Sequence, residues 1–599
     1  LHYVVWALAT PALFFGGSSF LIGAWRSIKA GNVGMDTLVA LGTLSAYSYS
    51  VYITLRGNGE VYFDSVAMIT TFIMFGRYLE KIGGAQARKD VHHLLEIQPN
   101  KARRCEEDHW EEVRVDKLET GDKLLVKPGE RVPADSRVSE NTASANESFL
   151  TGESKPVEKN PGDMVYAGTI INDSALVVEV VKVGDATRLG QITQVVQSTL
   201  NQKPPIQRLA DRVSKYFAFG IVGTAVITFF GWWLTGTTVS QSLLTSVAVL
   251  VVACPCALGL ATPLALAITL GKTARKGVLV RNSAALELAA KVNRFVFDKT
   301  GTLTQGKLTV EDIVVRPQSG ISKNTLLSVA ASVEQFSNHP LANSIVKAYD
   351  GSLIEVSDFN AVPGQGVKAN AARDIQATVK IGSKKYLGDL DFSSLSEQAS
   401  AHTQQGDTVI WVGWKEEVRG FIVLRDKLED TAPDALTELE EQGISTVILS
   451  GDDPQTVKSV ADELGIEEQE GSIPPEEKAQ KIKEWQSEDE VVAMIGDGVN
   501  DAPALAQADL SITTAGGTDV AGETSDIVFV RSDLTIIPWL FELSRRARRI
   551  IKQNLGWAFM YNIIAVPLAA FGVISPVIAA AAMASSSLLV VGNSLRLKR

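Results

Sequence analysis

Seven apolar stretches constrain the fold of this chain more than any other feature. They cover approximately residues 3–25, 36–55, 61–82, 216–235, 242–271, 553–573 and 575–594. A helix that crosses a bilayer needs about 20 mostly apolar residues, and each stretch is long enough. The pattern predicts a multi-pass membrane protein whose α-helical bundle contacts lipid.

Two long polar inserts, 84–206 and 276–540, separate these stretches. Lysines and arginines concentrate in the loops on the same side as the inserts. The opposite loops, near 56–60, 236–241 and 574, carry only Arg56. Because basic loops remain in the cytoplasm, both inserts are predicted to be cytoplasmic. With seven crossings and cytoplasmic inserts, the first residue is placed on the other side of the membrane.

Composition limits the kind of partner and of covalent framework. The 599 residues carry a formal net charge of −11, which argues against a nucleic-acid partner. The mean hydropathy of +0.10 is high for a soluble protein and fits membrane helices joined to soluble domains. The spacing of Cys105, Cys254 and Cys256 predicts no disulfide framework.

One aspartate, Asp298, closes an apolar run at residues 292–297 that is typical of a buried strand. Ligands of open α/β sheets bind at the carboxyl ends of strands, where a carboxylate can act as a covalent nucleophile. An aspartate and a glycine alone would more commonly mark a capped turn. Residues 297–302, Phe-Asp-Lys-Thr-Gly-Thr, resemble the phosphorylation sequence of the P-type ATPases, which favours the nucleophile.

The fifth apolar stretch contains Cys254-Pro255-Cys256. Residues two apart on a helix point to different faces, but Pro255 interrupts the helix, so the two thiols can converge. Buried thiolates are costly unless a soft cation binds them. Cysteines in membranes are more commonly small buried residues, yet the intervening proline favours a metal site.

Together these segments resemble the heavy-metal P-type ATPases, and the resemblance extends over essentially the whole chain. It implies a multidomain membrane protein with an α-helical transmembrane bundle, a β-rich actuator domain, an α/β haloacid-dehalogenase-like phosphorylation domain and an α+β nucleotide-binding domain. The expected boundaries are 1–83, 207–275 and 541–599 for transmembrane helices, 84–206 for the actuator, 276–308 and 424–540 for phosphorylation, and 309–423 for nucleotide binding.

The family has eight helices and a cytoplasmic N-terminus, so one helix and any N-terminal metal-binding domain are expected to be missing from this chain. A paired glycine in the family bends one helix into a platform at the cytoplasmic surface, and Gly16-Gly17 occupy that position. Close helix packing by small residues explains the glycine pair about as well.

The resemblance gives residues 147–154, Glu-Ser-Phe-Leu-Thr-Gly-Glu-Ser, the role of the actuator loop. They lie between β-type runs at 124–130 and 177–183. Glu153 is expected to position the water that hydrolyses the aspartyl-phosphate, and Gly152 to let the backbone approach the phosphate. Without the phosphorylation sequence, this composition would predict a solvated turn.

The second half of the phosphorylation domain contains further residues whose roles are implied by the same resemblance. Ser450-Gly451-Asp452 has serine where the family usually has threonine, and Asp452 is expected to help bind nucleotide. Lys478 is expected to contact the phosphoryl group. The residues expected to hold Mg²⁺ through oxygen ligands are Asp298, Thr300, Asp497 and Asp501.

The domain inserted between the two halves resembles the family's nucleotide-binding domain. Glu334 and His339 are expected to contact the adenine of ATP, and Gly364 and Gly366 to line its pocket. The family's glutamate before His-Pro is Asn338 here. Because the chain has no Walker-type lysine loop, ATP binding does not depend on that mechanism.

The last two apolar stretches resemble the copper(I) subclass. The expected ligands of the transported ion are Cys254, Cys256, Tyr561, Asn562, Met583 and Ser587, with Ser586 as second choice to Ser587. A soft, neutral thioether suits Cu(I), although polar groups in membrane helices also commonly bond to neighbouring helices. A zinc or cadmium pump of this family would be expected to place lysine and aspartate in 553–573 and 575–594, and neither residue occurs there.

Four further residues complete an ion route by resemblance. Met35, Glu80 and Asp211 match the family's residues at the cytoplasmic entrance, and Asp64 matches its exit carboxylate, which is often glutamate. Each of the four could instead be an ordinary interfacial residue at a helix end.

The sequence thus predicts an ATP-driven, Mg²⁺-dependent exporter of Cu(I), and of the equally soft Ag(I), with an aspartyl-phosphate intermediate. A cytoplasmic copper chaperone, a monomeric state and the plasma membrane are expected. A Zn²⁺ or Cd²⁺ pump is the alternative within the family. Intact Asp298, Glu153 and Asp497 argue against a metal sensor without turnover, and seven membrane stretches argue against a soluble phosphatase.

Overall fold

The structure is a computed structural model that describes residues 2–31, 34–57, 59–95, 99, 101–106, 109–147, 156–253, 256–317, 319–337, 339–362, 365–372, 375–388, 390–496, 501–514, 525–531 and 533–598. The chain divides into two compact units. The first comprises Leu1–Ala290 and Glu542–Arg599, and the second comprises Lys291–Phe541. The second unit is therefore inserted in the sequence of the first.

Helices lie at every predicted membrane stretch. Their bounds are His2–Pro11, Ser18–Lys29, Met35–Arg56, Phe63–Leu95, Pro205–Leu234, Val239–Val252, Cys256–Arg275, Ile536–Ala570 and Pro576–Leu595.

Three segments among the described residues are long and apolar enough to cross a membrane: Asp36–Arg56, Arg188–Leu234 and Pro576–Lys598. A fourth crossing results if the bent pair His2–Gly16 and Ser18–Lys29 is one span. The predicted fifth stretch is divided, because one helix ends at Val252 and the next begins at Cys256. This division agrees with the helix break predicted at Pro255, which lies outside the described residues.

The first helix bends by 59° at the glycine pair. A Cβ on Gly17 would overlap the carbonyl oxygen of Leu13 and would lie 2.6 Å from Cζ of Phe20. A Cβ on Gly16 would meet only Thr70 Cγ2, at 4.0 Å. Of the two explanations left open by the sequence, the bend is confirmed, and Gly17 is the residue that it requires.

Helix Val239–Val252 is buried along the whole of its second half, from Thr245 to Val252. A helix that is apolar on all sides is buried among other helices. Helix Met35–Arg56 approaches it closely at Gly42, where an added Cβ would lie 3.6 Å from Val247 and 3.7 Å from Val251. The apolar core of the bundle therefore surrounds the segment that leads into the Cys-Pro-Cys sequence.

The insert between the third and fourth membrane stretches is β-rich, as predicted. Strands Lys123–Val126 and Leu176–Lys182 match the two expected runs and pair antiparallel. A six-stranded sheet has the order His109–Arg114, Lys101–Glu106, Lys123–Val126, Leu176–Lys182, Asp135–Glu140, Met164–Val165, and a three-stranded sheet has the order Val157–Lys159, Ala143–Asn146, Ile170–Ile171. Helix Arg188–Asn201 follows.

The second unit contains a parallel sheet. Within this unit its strand order is Ile527–Phe529, Leu510–Thr514, Val492–Gly496, Arg294–Phe297, Ser445–Leu449, Glu468–Glu470. The accompanying helices are Ala432–Glu441, Pro454–Leu464, Pro475–Ser487 and Ala502–Gln507. The central strand carries Phe295, Val296 and Phe297, all fully buried, as expected of a strand in a parallel sheet that is covered on both faces.

The inserted domain of this unit is built on a six-stranded antiparallel sheet. Its strand order is Thr304–Val315, Glu417–Leu428, Thr408–Trp414, Ala377–Gly382, Gly366–Ala371, Val356–Val362. Helices Lys323–Glu334, Pro340–Lys347, Lys384–Leu387 and Ser396–Gln404 accompany it. The first two strands pair along most of their length and run through both expected boundaries of the domain, 308/309 and 423/424. They form a two-stranded connection to the parallel sheet.

Candidate active site

The loop that carries Asp298 begins where strand Arg294–Phe297 ends. Parallel strands flank it on both sides, Ser445–Leu449 and Val492–Gly496. The backbone N–H of Asp298 donates to the carbonyl of Ile495 at 3.0 Å, which fixes the start of the loop against its neighbour. Asp298 therefore lies at the carboxyl edge of the sheet, where ligands of such folds bind.

The turn after Asp298 depends on glycine and on a threonine. Gly301 has a φ of +70°, a region that residues with a Cβ rarely adopt. The Thr304 hydroxyl shares its one proton between the Asp426 carboxylate, at 2.6 Å, and the Lys299 carbonyl, at 3.1 Å. These bonds connect the loop to the returning strand of the inserted domain. The sequence analysis missed Asp426, since nothing local links residues 122 positions apart.

Lys478 joins two acidic residues of the site. Its Nζ lies 2.7 Å from Oδ1 of Asp298 and 2.7 Å from Oδ1 of Asp501. The side chains of Lys478, Asp298 and Asp501 are 4%, 10% and 1% exposed. Burial alone would lower the pKa of Lys478, but the two carboxylates raise it above its ordinary value. The two carboxylates therefore favour the charged form of the lysine.

Asp452, at the end of the neighbouring strand, holds the residues that follow Asp298. Its Oδ2 accepts from Lys299 Nζ at 2.6 Å, Thr300 Oγ1 at 3.0 Å and Ser450 Oγ at 3.2 Å. Burial would raise the pKa of Asp452, yet the Lys299 ammonium and these hydroxyls hold it below its ordinary value. Ser450 thus supplies the hydroxyl that the family's threonine would supply.

The donor set of the site fits Mg²⁺. Asp298 and Asp501 converge on one cation, Lys478, and Thr300 adds a hydroxyl on the adjacent loop. Oxygen ligands of this kind suit a small hard cation. The fourth expected ligand, Asp497, lies outside the described residues.

Glu334 and His339 border the segment that connects two helices of the inserted domain. Glu334 ends helix Lys323–Glu334 and is buried, which raises the pKa of its carboxyl to about 7. His339 is exposed and caps helix Pro340–Lys347, with Nδ1 accepting from Leu341 N at 3.3 Å. Glu334 is therefore a carboxyl that changes charge near neutral pH.

Gly366 begins a strand of the same domain at a point of close packing. A Cβ there would overlap the carbonyl oxygen of Ile381 and lie 2.9 Å from Cα of Gly382. This packing requires a glycine at position 366 whether or not the residue also contacts ATP. Gly364 lies outside the described residues.

The predicted ligands on the last two helices lie in the buried part of the bundle. Met583 is 3% exposed and belongs to the same apolar cluster that Tyr561 packs against. Asn562 is buried, and its Nδ2 donates to the Ala558 carbonyl at 2.9 Å. Ser586 and Ser587 are equally buried, so burial does not choose between them.

The polar residues at the helix ends have a different environment. Asp211 is exposed and pairs with Lys203 at 2.7 Å. Asp64 is exposed in the first turn of helix Phe63–Leu95. Met35 and Glu80 lie on helices Met35–Arg56 and Phe63–Leu95.

Comparisons with known proteins match family models to both soluble inserts. A family model described as haloacid dehalogenase-like hydrolase matches residues 292–509, and one described as P-type ATPase actuator domain matches residues 96–197. The probable copper-transporting ATPase PacS of Synechocystis is 39% identical over 100% of this chain and 83% of its own length. The chain belongs to the heavy-metal P-type ATPases.

Further relatives agree with this assignment. The probable copper-exporting P-type ATPase V of Mycobacterium tuberculosis is 40% identical over 100% of this chain and 78% of its own length. A crystal structure of a zinc-transporting PIB-type ATPase in its E2·Pi state is 30% identical, with a TM-score of 0.65, covering 100% of this chain and 98% of that one. The predicted fold class is confirmed.

As a P-type ATPase, the protein is a membrane enzyme that uses ATP and Mg²⁺. The structure brings Asp298, Lys478, Asp501, Thr300 and Asp452 into one hydrogen-bonded cluster. The other expected residues of the reaction, Gly152 and Glu153, lie outside the described residues, as does Cys254. The side chains of Cys256, Met35 and Glu80 are likewise outside the description, so the roles of these residues remain predictions.

Proposed function

We propose that this P-type ATPase exports Cu(I), and also Ag(I), from the cytoplasm by way of an aspartyl-phosphate on Asp298. The observation that carries the metal assignment is the buried thioether of Met583, in a membrane core whose last two stretches contain no lysine or aspartate. Soft ligands select monovalent copper. The names of the copper-transporting relatives support the same choice.

In the proposed reaction, a carboxylate oxygen of Asp298 attacks the γ-phosphorus of ATP, and the bond to the β–γ bridging oxygen breaks to release ADP. Lys478 lies beside the attacking carboxylate and balances its charge. Lys299 and Thr300 are held by Asp452, which keeps the loop in the position that the attack needs. Asp298, Thr300, Asp497 and Asp501 would hold Mg²⁺, which would neutralise charge at the phosphates.

The second step is hydrolysis of the aspartyl-phosphate. We assign Glu153 to orient the water, which attacks phosphorus and returns Asp298 as a free carboxylate with release of inorganic phosphate. Gly152 leaves room for the backbone beside the phosphate. Glu334, His339, Gly364 and Gly366 are assigned to the adenine.

For the transported ion we assign Cys254, Cys256, Tyr561, Asn562, Met583 and Ser587 as ligands. The ion would enter past Met35, Glu80 and Asp211 and leave past Asp64. We further propose a monomer in the plasma membrane, with its catalytic domains in the cytoplasm and a copper chaperone as donor. Coupling means that the metal site and Asp298 share one conformational equilibrium.

The zinc alternative has a specific observation in its favour, since the solved relative with a TM-score of 0.65 is a zinc transporter. The missing charged ligands in stretches 553–573 and 575–594 argue against it. ATPase activity in detergent with Cu(I), Ag(I), Zn²⁺ and Cd²⁺ side by side separates the two.

The decisive assay is ATP-driven uptake into inside-out vesicles. Uptake of Cu(I) should exceed that of Zn²⁺, and Cys254→Ser and Cys256→Ser should each abolish it, because a hydroxyl is a hard ligand. Met583→Leu should weaken it without unfolding the protein, since the volume is retained. Asp298→Asn provides the background without phosphorylation. Faster Zn²⁺ uptake, or Cu(I) uptake indifferent to both cysteine substitutions, would overturn the copper assignment.

A further inference from the structure

A partly buried ion pair joins two membrane helices close to the expected entrance of the ion. Asp36 lies in the first turn of helix Met35–Arg56, and Arg77 lies in helix Phe63–Leu95. Nη2 of Arg77 contacts Oδ1 of Asp36, and the two side chains are only 21% (Arg77) and 26% (Asp36) exposed. The pair is therefore largely shielded from water, unlike a surface salt bridge.

The same pair holds the second half of the bent helix. Nη1 of Arg77 donates to the Ser19 hydroxyl at 3.3 Å, and that hydroxyl lies 3.6 Å from the sulfur of Met74. A Cβ on Gly23 would overlap the carboxylate of Asp36. The carboxylate thus lies against the backbone of helix Ser18–Lys29, and Gly23 is required for that approach.

We propose that Asp36 and Arg77 are positioning residues for metal uptake, which deepens the proposed function and rests on it. Met35 directly precedes Asp36 in the chain, and Glu80 follows Arg77 by three residues, close to one helical turn. The ion pair therefore fixes the backbone of both helices beside the two entrance residues. It also fixes the bent helix relative to them through Ser19 and Gly23.

The physical consequence follows from partial burial. A shielded ion pair is screened little by salt, and removing one partner leaves the other as an uncompensated charge. In Asp36→Asn, the Arg77 guanidinium loses its anionic partner while Ser19 remains. The two helices and the bent helix then lose their common anchor, so Met35 and Glu80 no longer keep a fixed separation. Loss of such outer contacts typically lowers metal affinity about 10-fold to 100-fold.

The test compares Asp36→Asn, Arg77→Lys and a matched control, Glu130→Gln. Glu130 pairs with Arg103 at 2.7 Å in the β-rich insert, and this pair is also partly exposed, at 38% for Glu130 and 31% for Arg103. Each variant is titrated with buffered free Cu(I), and the half-activating concentration and the maximal ATPase rate are measured separately. Phosphorylation by inorganic phosphate without metal reports an intact Asp298 site.

We expect Asp36→Asn to raise the half-activating Cu(I) concentration at least about 10-fold, with an almost unchanged maximal rate and unchanged phosphorylation by inorganic phosphate. Arg77→Lys, which keeps the charge, should retain a large part of the wild-type affinity, and Glu130→Gln should match the wild type. An unchanged half-activating concentration in Asp36→Asn would overturn the inference. A parallel loss of maximal rate and phosphorylation would assign the pair a purely structural role and would overturn it equally. If the wild type itself ignores Cu(I), the proposed function fails instead.

Discussion

Replacing Lys478 by methionine tests the catalytic cluster most directly. The substitution keeps an unbranched side chain of similar length and removes the ammonium group, with both its charge and its hydrogen-bond donors. Lys478 Nζ is the common partner of Asp298 and Asp501, at 2.7 Å from each. In the variant, two buried carboxylates face one another without the Lys478 ammonium between them.

The size of the effect follows from these distances. Because both oxygens lie 2.7 Å from the same nitrogen, they are at most about 5.4 Å apart. At an effective dielectric constant of about 20, two unit charges at that separation repel by about 3 kcal/mol. The variant relieves this repulsion by binding a proton or by turning Asp298 away. Either response removes the ionised oxygen that attacks phosphorus, and about 3 kcal/mol corresponds to roughly 100-fold in rate.

The assay is rapid-quench formation of the acid-stable phosphoenzyme from radiolabelled ATP, in detergent, with saturating metal. We expect Lys478→Met to phosphorylate at least about 100-fold more slowly than the wild type. Lys478→Arg, the charge-retaining control, should show a smaller loss of phosphorylation rate. Thermal unfolding is followed in parallel, since breaking a buried pair costs about 3–5 kcal/mol in stability.

A wild-type rate of phosphorylation in Lys478→Met would refute the reasoning. So would an equal loss in Lys478→Met and Lys478→Arg, because the argument depends on the positive charge and not on the shape of the lysine.

Three other predictions address separate parts of the molecule. Burial raises the pKa of Glu334 to about 7 from its ordinary 4.5. The folded protein therefore binds this proton more tightly than the unfolded chain does. The resulting stabilisation is fully present below about pH 4.5 and is lost as the pH rises through 7. Glu334→Gln should reduce the difference in unfolding free energy between pH 5 and pH 8 by up to about 3 kcal/mol. Denaturant unfolding of the variant and the wild type at both pH values measures this difference, and an unchanged difference would contradict the prediction. Gly17→Ala should destabilise the protein by about 1–3 kcal/mol through overlap with Leu13 and Phe20, whereas Gly16→Ala should not, and equal melting temperatures for the two would remove the requirement for glycine at the bend. Glu153→Gln should accept phosphate from ATP but release it slowly, and decay of its phosphoenzyme at the wild-type rate would exclude Glu153 from hydrolysis.

Local patterns in the sequence predicted the parts of the site that depend on one strand and its turn. Asp298 follows a buried strand and precedes a glycine at positive φ. The sequence shows the corresponding signals close together, an apolar run just before Asp298 and a glycine three residues after it. The helix break between Val252 and Cys256 was predictable for the same reason, since a proline acts on its own helix.

Contacts between distant segments could not be predicted from such patterns. Lys478 was expected to contact phosphate, but its simultaneous bond to Asp298, 180 positions away, depends on the strand order of the sheet. The bond from Thr304 to Asp426 and the pair between Asp36 and Arg77 are of the same kind. No periodicity indicates which charged residues of separate elements meet, because packing of the elements decides it.

Two buried polar atoms on the last two helices, one of which also carries Met583, offer a physical reason to expect a polar ligand there. The buried side-chain atoms without a hydrogen-bond partner in the described part of the chain include Oδ1 of Asn562 and Oγ of Ser586, the second-choice serine to Ser587. Each unsatisfied group costs about 1–3 kcal/mol, and apolar side chains at these positions would avoid that cost. Helices that keep both groups gain from them only if a ligand contacts them in some state of the protein. A desolvated cation from the cytoplasm would be such a ligand, and its binding free energy would then offset this cost.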